Sequence, residues 1–84
     1  MLPENFDEIV NAIAWANTQL LITSKTPDKW AFRIELQRLE QANAKMRVAV
    51  GRSFNQLPDA LKVEIKVCEV GYNKLKDRLP KKIP

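Results

Sequence analysis

The chain lacks histidine and has little cysteine or glycine, residue types on which many enzyme and metal sites depend. Its 84 residues include no histidine, so the usual imidazole ligand of zinc and iron is missing, and so is the one side chain that titrates near neutral pH unaided. Cys68 is the single cysteine, which excludes an intramolecular disulfide and a Cys-x-x-Cys site. Gly51 and Gly71 are the only glycines and lie far apart, so no glycine-rich phosphate loop can be written.

The carboxylates do not replace these missing groups. Glu35 and Glu40 are five residues apart, as are Glu64 and Glu69, and this spacing places the members of each pair on different faces of a helix. Neither pair is arranged for general acid–base catalysis. We therefore expect a protein that is not an enzyme and that uses no metal or cofactor.

Long apolar runs are also missing. No run approaches the roughly 20 residues of a membrane-spanning helix, and no basic start followed by an apolar stretch marks a secretory signal. The composition, 45% hydrophobic and 29% charged, is ordinary for a globular protein. Together with the unpaired cysteine, these features lead us to expect a cytoplasmic protein that does not bind membranes.

Prolines and turn residues divide a single helical domain, residues 1–84, into three segments of helix length. We predict helix 1 at about residues 5–22, helix 2 at about 27–52 and helix 3 at about 58–79. Pro80 ends the last helix, and residues 80–84 are expected to form a frayed tail.

Two of the predicted helix starts carry recognisable capping patterns. Asn5 is followed three residues later by Glu8, which is the spacing of a capping box. At the second start, Thr26 is placed to cap the helix with Pro27 in its first turn.

Apolar residues recur at alternating steps of three and four, the heptad spacing of helices that pack in bundles. Because the connections are short, consecutive helices must be antiparallel. The sequence thus predicts an all-α fold, an up-down-up bundle of three long helices that assembles with a second copy. The core-facing positions are Phe6, Val10, Ile13, Asn17 and Leu20 in helix 1, flanked by Ile9, Ala16 and Leu21; Phe32, Leu36, Leu39, Asn43, Met46 and Val50 in helix 2; and Leu61, Ile65, Cys68, Tyr72, Leu75 and Leu79 in helix 3.

Two asparagines, Asn17 and Asn43, occupy core-facing positions near the middle of their helices. A buried amide destabilises a core unless its hydrogen bonds are satisfied. Either the two amides fix the register of the helices, for example by pairing with each other, or they lie where the bundle opens to water. Gly71, inside helix 3, is explained if another helix backbone approaches it closely.

Each helix also carries apolar residues on the side away from its core-facing positions. Left in water, they would form patches larger than monomeric proteins usually expose. We expect them to form a protein interface, with a homo-oligomer favoured and a dimer as its simplest form; a different protein partner and a wide core within one chain are the alternatives. The predicted interface residues are Trp15 in helix 1, Trp30, Ile34 and Val48 in helix 2, and Val63, Val67 and Val70 in helix 3.

The chain is basic, with a formal charge of +4 and an isoelectric point near 9.5. Arg38, Lys45 and Arg52 follow one another at seven-residue intervals in helix 2, and Lys74 and Lys76 lie near the end of helix 3. Such a line could contact phosphates, or its long side chains could cover apolar neighbours at the bundle edge. The sequence favours a non-enzymatic protein that acts through protein–protein contact, with a nucleic-acid-binding accessory protein as the alternative.

Overall fold

Three long helices make up most of the fold in the computed structural model, which describes residues 2–79. The predicted tail, residues 80–84, lies outside the described part. None of the helices within residues 2–79 has both the length and the apolar character needed to cross a bilayer. The elements are α1 (Phe6–Ser24), α2 (Lys29–Val50), a short 3-10 helix (Phe54–Gln56) and α3 (Asp59–Lys76).

Side-chain contacts between the helices establish how they run. In each pair of consecutive helices, the residue numbers of the contacts increase along one helix while they decrease along the other. Neighbouring helices are therefore antiparallel. This confirms the predicted all-α, up-down-up arrangement. The contacts are Asn5–Ala49 and Gln19–Glu35 for α1 with α2, and Asn43–Cys68 and Glu40–Tyr72 for α2 with α3.

The start of α2 differs from the prediction. Asp28 caps this helix, because its side-chain oxygen accepts a hydrogen bond from the backbone N–H of Ala31 at 2.9 Å. Thr26 instead donates its hydroxyl to the carbonyl of Ile22 at 2.7 Å, which satisfies a group in the last turn of α1. The predicted Thr26 cap is wrong because that hydroxyl closes the preceding helix, and Pro27 lies in the connection between the two.

The capping box predicted at Asn5 is also wrong. The Asn5 side chain makes no capping bond and donates instead to the carbonyl of Ala49 at 2.8 Å, tying the start of α1 to the end of α2. A tertiary contact thus replaces the local one.

The core consists of two groups of buried side chains. The buried face of α1 departs from the predicted one, because Leu21 is exposed whereas Gln19 and Thr23 are buried. Gln19 donates to both the carbonyl and the carboxylate of Glu35, at 3.2 and 3.0 Å. The larger group contains Ile9, Ile13, Ala16, Ala42, Met46, Ala49, Val50, Leu57, Ile65 and Cys68, and the smaller contains Phe32, Leu36 and Leu39, with Leu20, Tyr72, Leu75 and Leu79 packed against it.

Candidate functional site

A polar layer joins the three helices at one level of the bundle. The Asn43 side-chain amide donates to the carbonyl of Cys68 at 3.1 Å, and the Cys68 thiol donates to Oδ1 of Asn17 at 3.1 Å. Asn17 also donates to the carboxylate of Glu64, at 3.4 Å. The two asparagines therefore do not pair with each other; each bonds to Cys68 on α3, which lies between them.

The environment of Cys68 keeps its thiol protonated. Burial, together with the negative charges of Glu64 and then Glu69, raises the pKa of Cys68 to about 11. Because the thiolate is the reactive form, this cysteine is a structural group at neutral pH. Among residues 2–79, no three histidine, cysteine or carboxylate side chains are grouped so that they could hold a metal ion.

An open apolar groove runs along the outer side of α3, and we call it the α3 groove. Its apolar lining is provided by Val63, Val67 and Val70 together with Leu20 of α1 and Phe54 of the 3-10 helix, and its volume is about 570 Å³. The three valines are 60%, 49% and 49% exposed. The structure thus brings together three of the residues predicted from the sequence to form an interface.

The charged side chains that line the α3 groove are all lysines: Lys62, Lys66 and Lys74. The ammonium groups of Lys62 and Lys66 lie 5.8 and 5.5 Å from the centre of the Phe54 ring, within the range of a cation–π contact. Lys62 also pairs with Asp59 at 3.8 Å. The groove therefore combines an apolar floor with a positively charged rim.

Gly71 allows Leu20 to reach the α3 groove. A Cβ atom at position 71 would lie 2.6 Å from Cδ1 of Leu20, closer than the two groups could remain. The close approach predicted at Gly71 is therefore made by a side chain and not, as expected, by the backbone of another helix. Leu20 and Phe54 line the groove although the sequence did not single out either one for this surface, because their places depend on how α1 and the 3-10 helix pack beside α3.

A second apolar surface lies between α1 and α2, and we call it the α1–α2 patch. Trp15 and Val48 are 49% and 82% exposed there, and the ammonium group of Lys45 lies 4.7 Å from the centre of the Trp15 ring. The patch also includes Glu8, Ala12, Ala44 and Ala49. Trp30 and Ile34, the other predicted interface residues, are 79% and 52% exposed but line neither surface.

The residues predicted to contact phosphate have different neighbours in the structure. Arg38 lies 3.4 Å from the carboxylate of Glu35. Lys45 lies over Trp15, Arg52 is exposed in the turn after α2, and Lys74 lines the α3 groove. Lys76 lines a separate hollow between α2 and α3, beside Tyr72.

That hollow contains a strong hydrogen bond between α2 and α3. The hydroxyl of Tyr72 donates to the carboxylate of Glu40 at 2.6 Å, and this bond is the main reason that the pKa of Tyr72 is raised to about 12. The contact fixes α3 against α2.

Comparison of the chain with protein-family models, with curated proteins and with solved structures finds no match in any of the three.

Proposed function

We propose that this chain is a non-enzymatic cytoplasmic protein that acts through protein–protein contact, and that it self-associates through the α3 groove, beginning with a dimer. The observation that carries the proposal is the row of three half-exposed valines in one continuous groove with Leu20 and Phe54. Contiguous exposed apolar surfaces of this kind are found at sites of protein contact more often than expected by chance.

The apolar burial available in the groove is too small to hold two copies together by itself. Full burial of a valine is worth roughly 1.5 kcal/mol or more, so covering three half-exposed valines and their two apolar neighbours contributes several kcal/mol. Association itself costs about 4–15 kcal/mol in lost freedom of movement. The groove must therefore be covered together with neighbouring surface.

The test is the mass in solution, measured by light scattering coupled to size exclusion at low and at physiological salt. We expect wild type to form at least a dimer and Val67→Asp to be monomeric, because the variant places a charge at the centre of the α3 groove. Ile34→Asp is the matched control, since Ile34 is equally exposed but lies outside the groove. Thermal unfolding followed by circular dichroism verifies that both variants are folded.

Two results would reject this proposal: a wild-type monomer at all concentrations, or a Val67→Asp variant that assembles as wild type does. Nucleic-acid binding is the alternative, favoured by the basic charge of the chain, and it would weaken steeply as salt increases. If wild type binds nucleic acid in this way and the triple variant Arg38→Glu, Lys45→Glu, Arg52→Glu does not, the alternative is supported.

A further inference from the structure

The charges around the α3 groove restrict what can cover it. The charged residues in its lining are all lysines, and Lys66 and Lys74 form no ion pair with another of the described residues. Two such grooves placed face to face would bring the lysines of both copies together, and like charges across a contact oppose binding. The groove is therefore better suited to an apolar surface that carries negative charge than to a second α3 groove.

The same chain presents such a surface on α1. Residues 2–24 contain Glu4, Asp7 and Glu8 but no lysine or arginine. Asp7 and Glu8 are exposed and form no ion pair with any other residue in the range 2–79. Trp15, on the same helix, leaves half of its large apolar side chain exposed, and the ammonium group of Lys45 from α2 lies 4.7 Å from the centre of its ring.

The spacing of these groups matches the spacing in the α3 groove. Glu8 and Trp15 are seven residues apart, which places them on one face of α1 and separates them by about 10.5 Å along its axis. Val67 and Lys74 are also seven residues apart on the outer face of α3. When the two helices are antiparallel, the tryptophan can cover the valine while the glutamate faces the lysine.

We propose that the outer face of α1 from a second copy occupies the α3 groove, with Trp15 against Val67 and Glu8 beside Lys74. This inference rests on the proposed self-association. Trp15 and Glu8 belong to the α1–α2 patch, and in a three-helix bundle the outer side between two helices faces away from the third. Each copy therefore binds one neighbour through its α3 groove and another neighbour through the outer face of its α1. Such a contact is head-to-tail and continues beyond two copies.

Charge exchange between Glu8 and Lys74 tests the assignment. We expect Glu8→Lys and Lys74→Glu each to weaken self-association by about two- to fivefold, the effect typical of exposed charge pairs, and the double variant to restore it. The matched control combines Asp7→Lys with Lys74→Glu. It has the same net charge as the double variant, but position 7 lies 100° around the helix from position 8, so we expect no restoration.

The mass of the assembly tests the head-to-tail geometry. Light scattering from micromolar to near-millimolar protein should give a mass that rises above two copies, and a mass that stops at two copies would overturn the proposal. Restoration by the control pair as well as by the Glu8–Lys74 pair would show that only net charge matters. If Val67→Asp dissociates the protein but no charge exchange restores binding, the proposed self-association through the α3 groove is supported. The assignment of α1 as the element that occupies the groove is then rejected. A wild-type monomer removes both proposals together.

Discussion

Replacing Asn43 with leucine should make the folded chain more stable. Asn43 is 1% exposed, and its Oδ1 atom accepts no hydrogen bond from another described residue, whereas its amide nitrogen donates to the carbonyl of Cys68. That carbonyl also accepts the intrahelical bond from the N–H four residues later, so it keeps a partner in the variant. The substitution therefore removes an unsatisfied acceptor without leaving a new one.

The size of the effect follows from the separate contributions. An unsatisfied buried polar atom costs about 1–3 kcal/mol, and the lost hydrogen bond is worth about 0.5–1.5 kcal/mol. Leucine adds apolar burial but fills slightly more space, which costs about 1 kcal/mol in a tight core. We expect a net gain of about 1–2 kcal/mol in the free energy of unfolding, and each kcal/mol raises Tm by about 4–8 °C in a domain of this size.

Urea unfolding followed by circular dichroism measures this gain, with Asn17→Leu as the matched control. Asn17 is only partly buried, and both atoms of its amide group have partners, Glu64 and Cys68. Its replacement loses two hydrogen bonds and gains less burial, so we expect no gain in stability. If Asn43→Leu is less stable than wild type, or if the two variants change equally, the reasoning about the unsatisfied oxygen is wrong.

Two further predictions concern the backbone and the buried thiol. Gly51→Ala should destabilise the chain by about 1–3 kcal/mol in urea unfolding, because the φ of Gly51, 51°, strains any other residue even though there is space for a methyl group. Gly71→Ala should change stability little, because the gain in helix propensity is offset by the displacement of the Leu20 side chain. Folding raises the pKa of Cys68 from 9.0 to about 11, so the contribution of the protonated thiol to stability is complete below pH 9 and is lost as pH rises through 11. Cys68→Ala should abolish that part of the pH dependence of the free energy of unfolding. An unchanged pH profile in the variant would contradict this prediction.

The fold was predictable from the sequence because the spacing of apolar residues along a helix indicates which side of that helix is buried. The six core-facing positions predicted in α2, from Phe32 to Val50, are all buried. In α1 the pattern was less informative, because polar Gln19 and Thr23 are buried while apolar Leu21 is exposed. Burial of a polar side chain depends on a partner such as Glu35, which is distant in sequence, and spacing within one helix carries no information about that partner.

The candidate surfaces were predictable only in part, for the same reason. Spacing identified Val63, Val67 and Val70 as a row on the outer side of α3, and the structure places them together. It did not identify Leu20 or Phe54, because each reaches the groove from another element of the bundle. The net charge of +4 likewise did not reveal that every charged residue in the lining of the groove is a lysine.

The polar layer and the exposure of the three valines both depend on how α3 is rotated about its own axis. Val67 and Cys68 are consecutive residues and so point about 100° apart around α3. Turning α3 to bury Val67 in its own bundle would withdraw Cys68 from Asn43 and break contacts that fix the helix about its axis. The described part of the bundle therefore cannot bury the valine row and keep its polar layer, which supports the proposed contact with another chain. This constraint is why the α3 groove, although each valine in it is small, is the surface on which the proposed function depends.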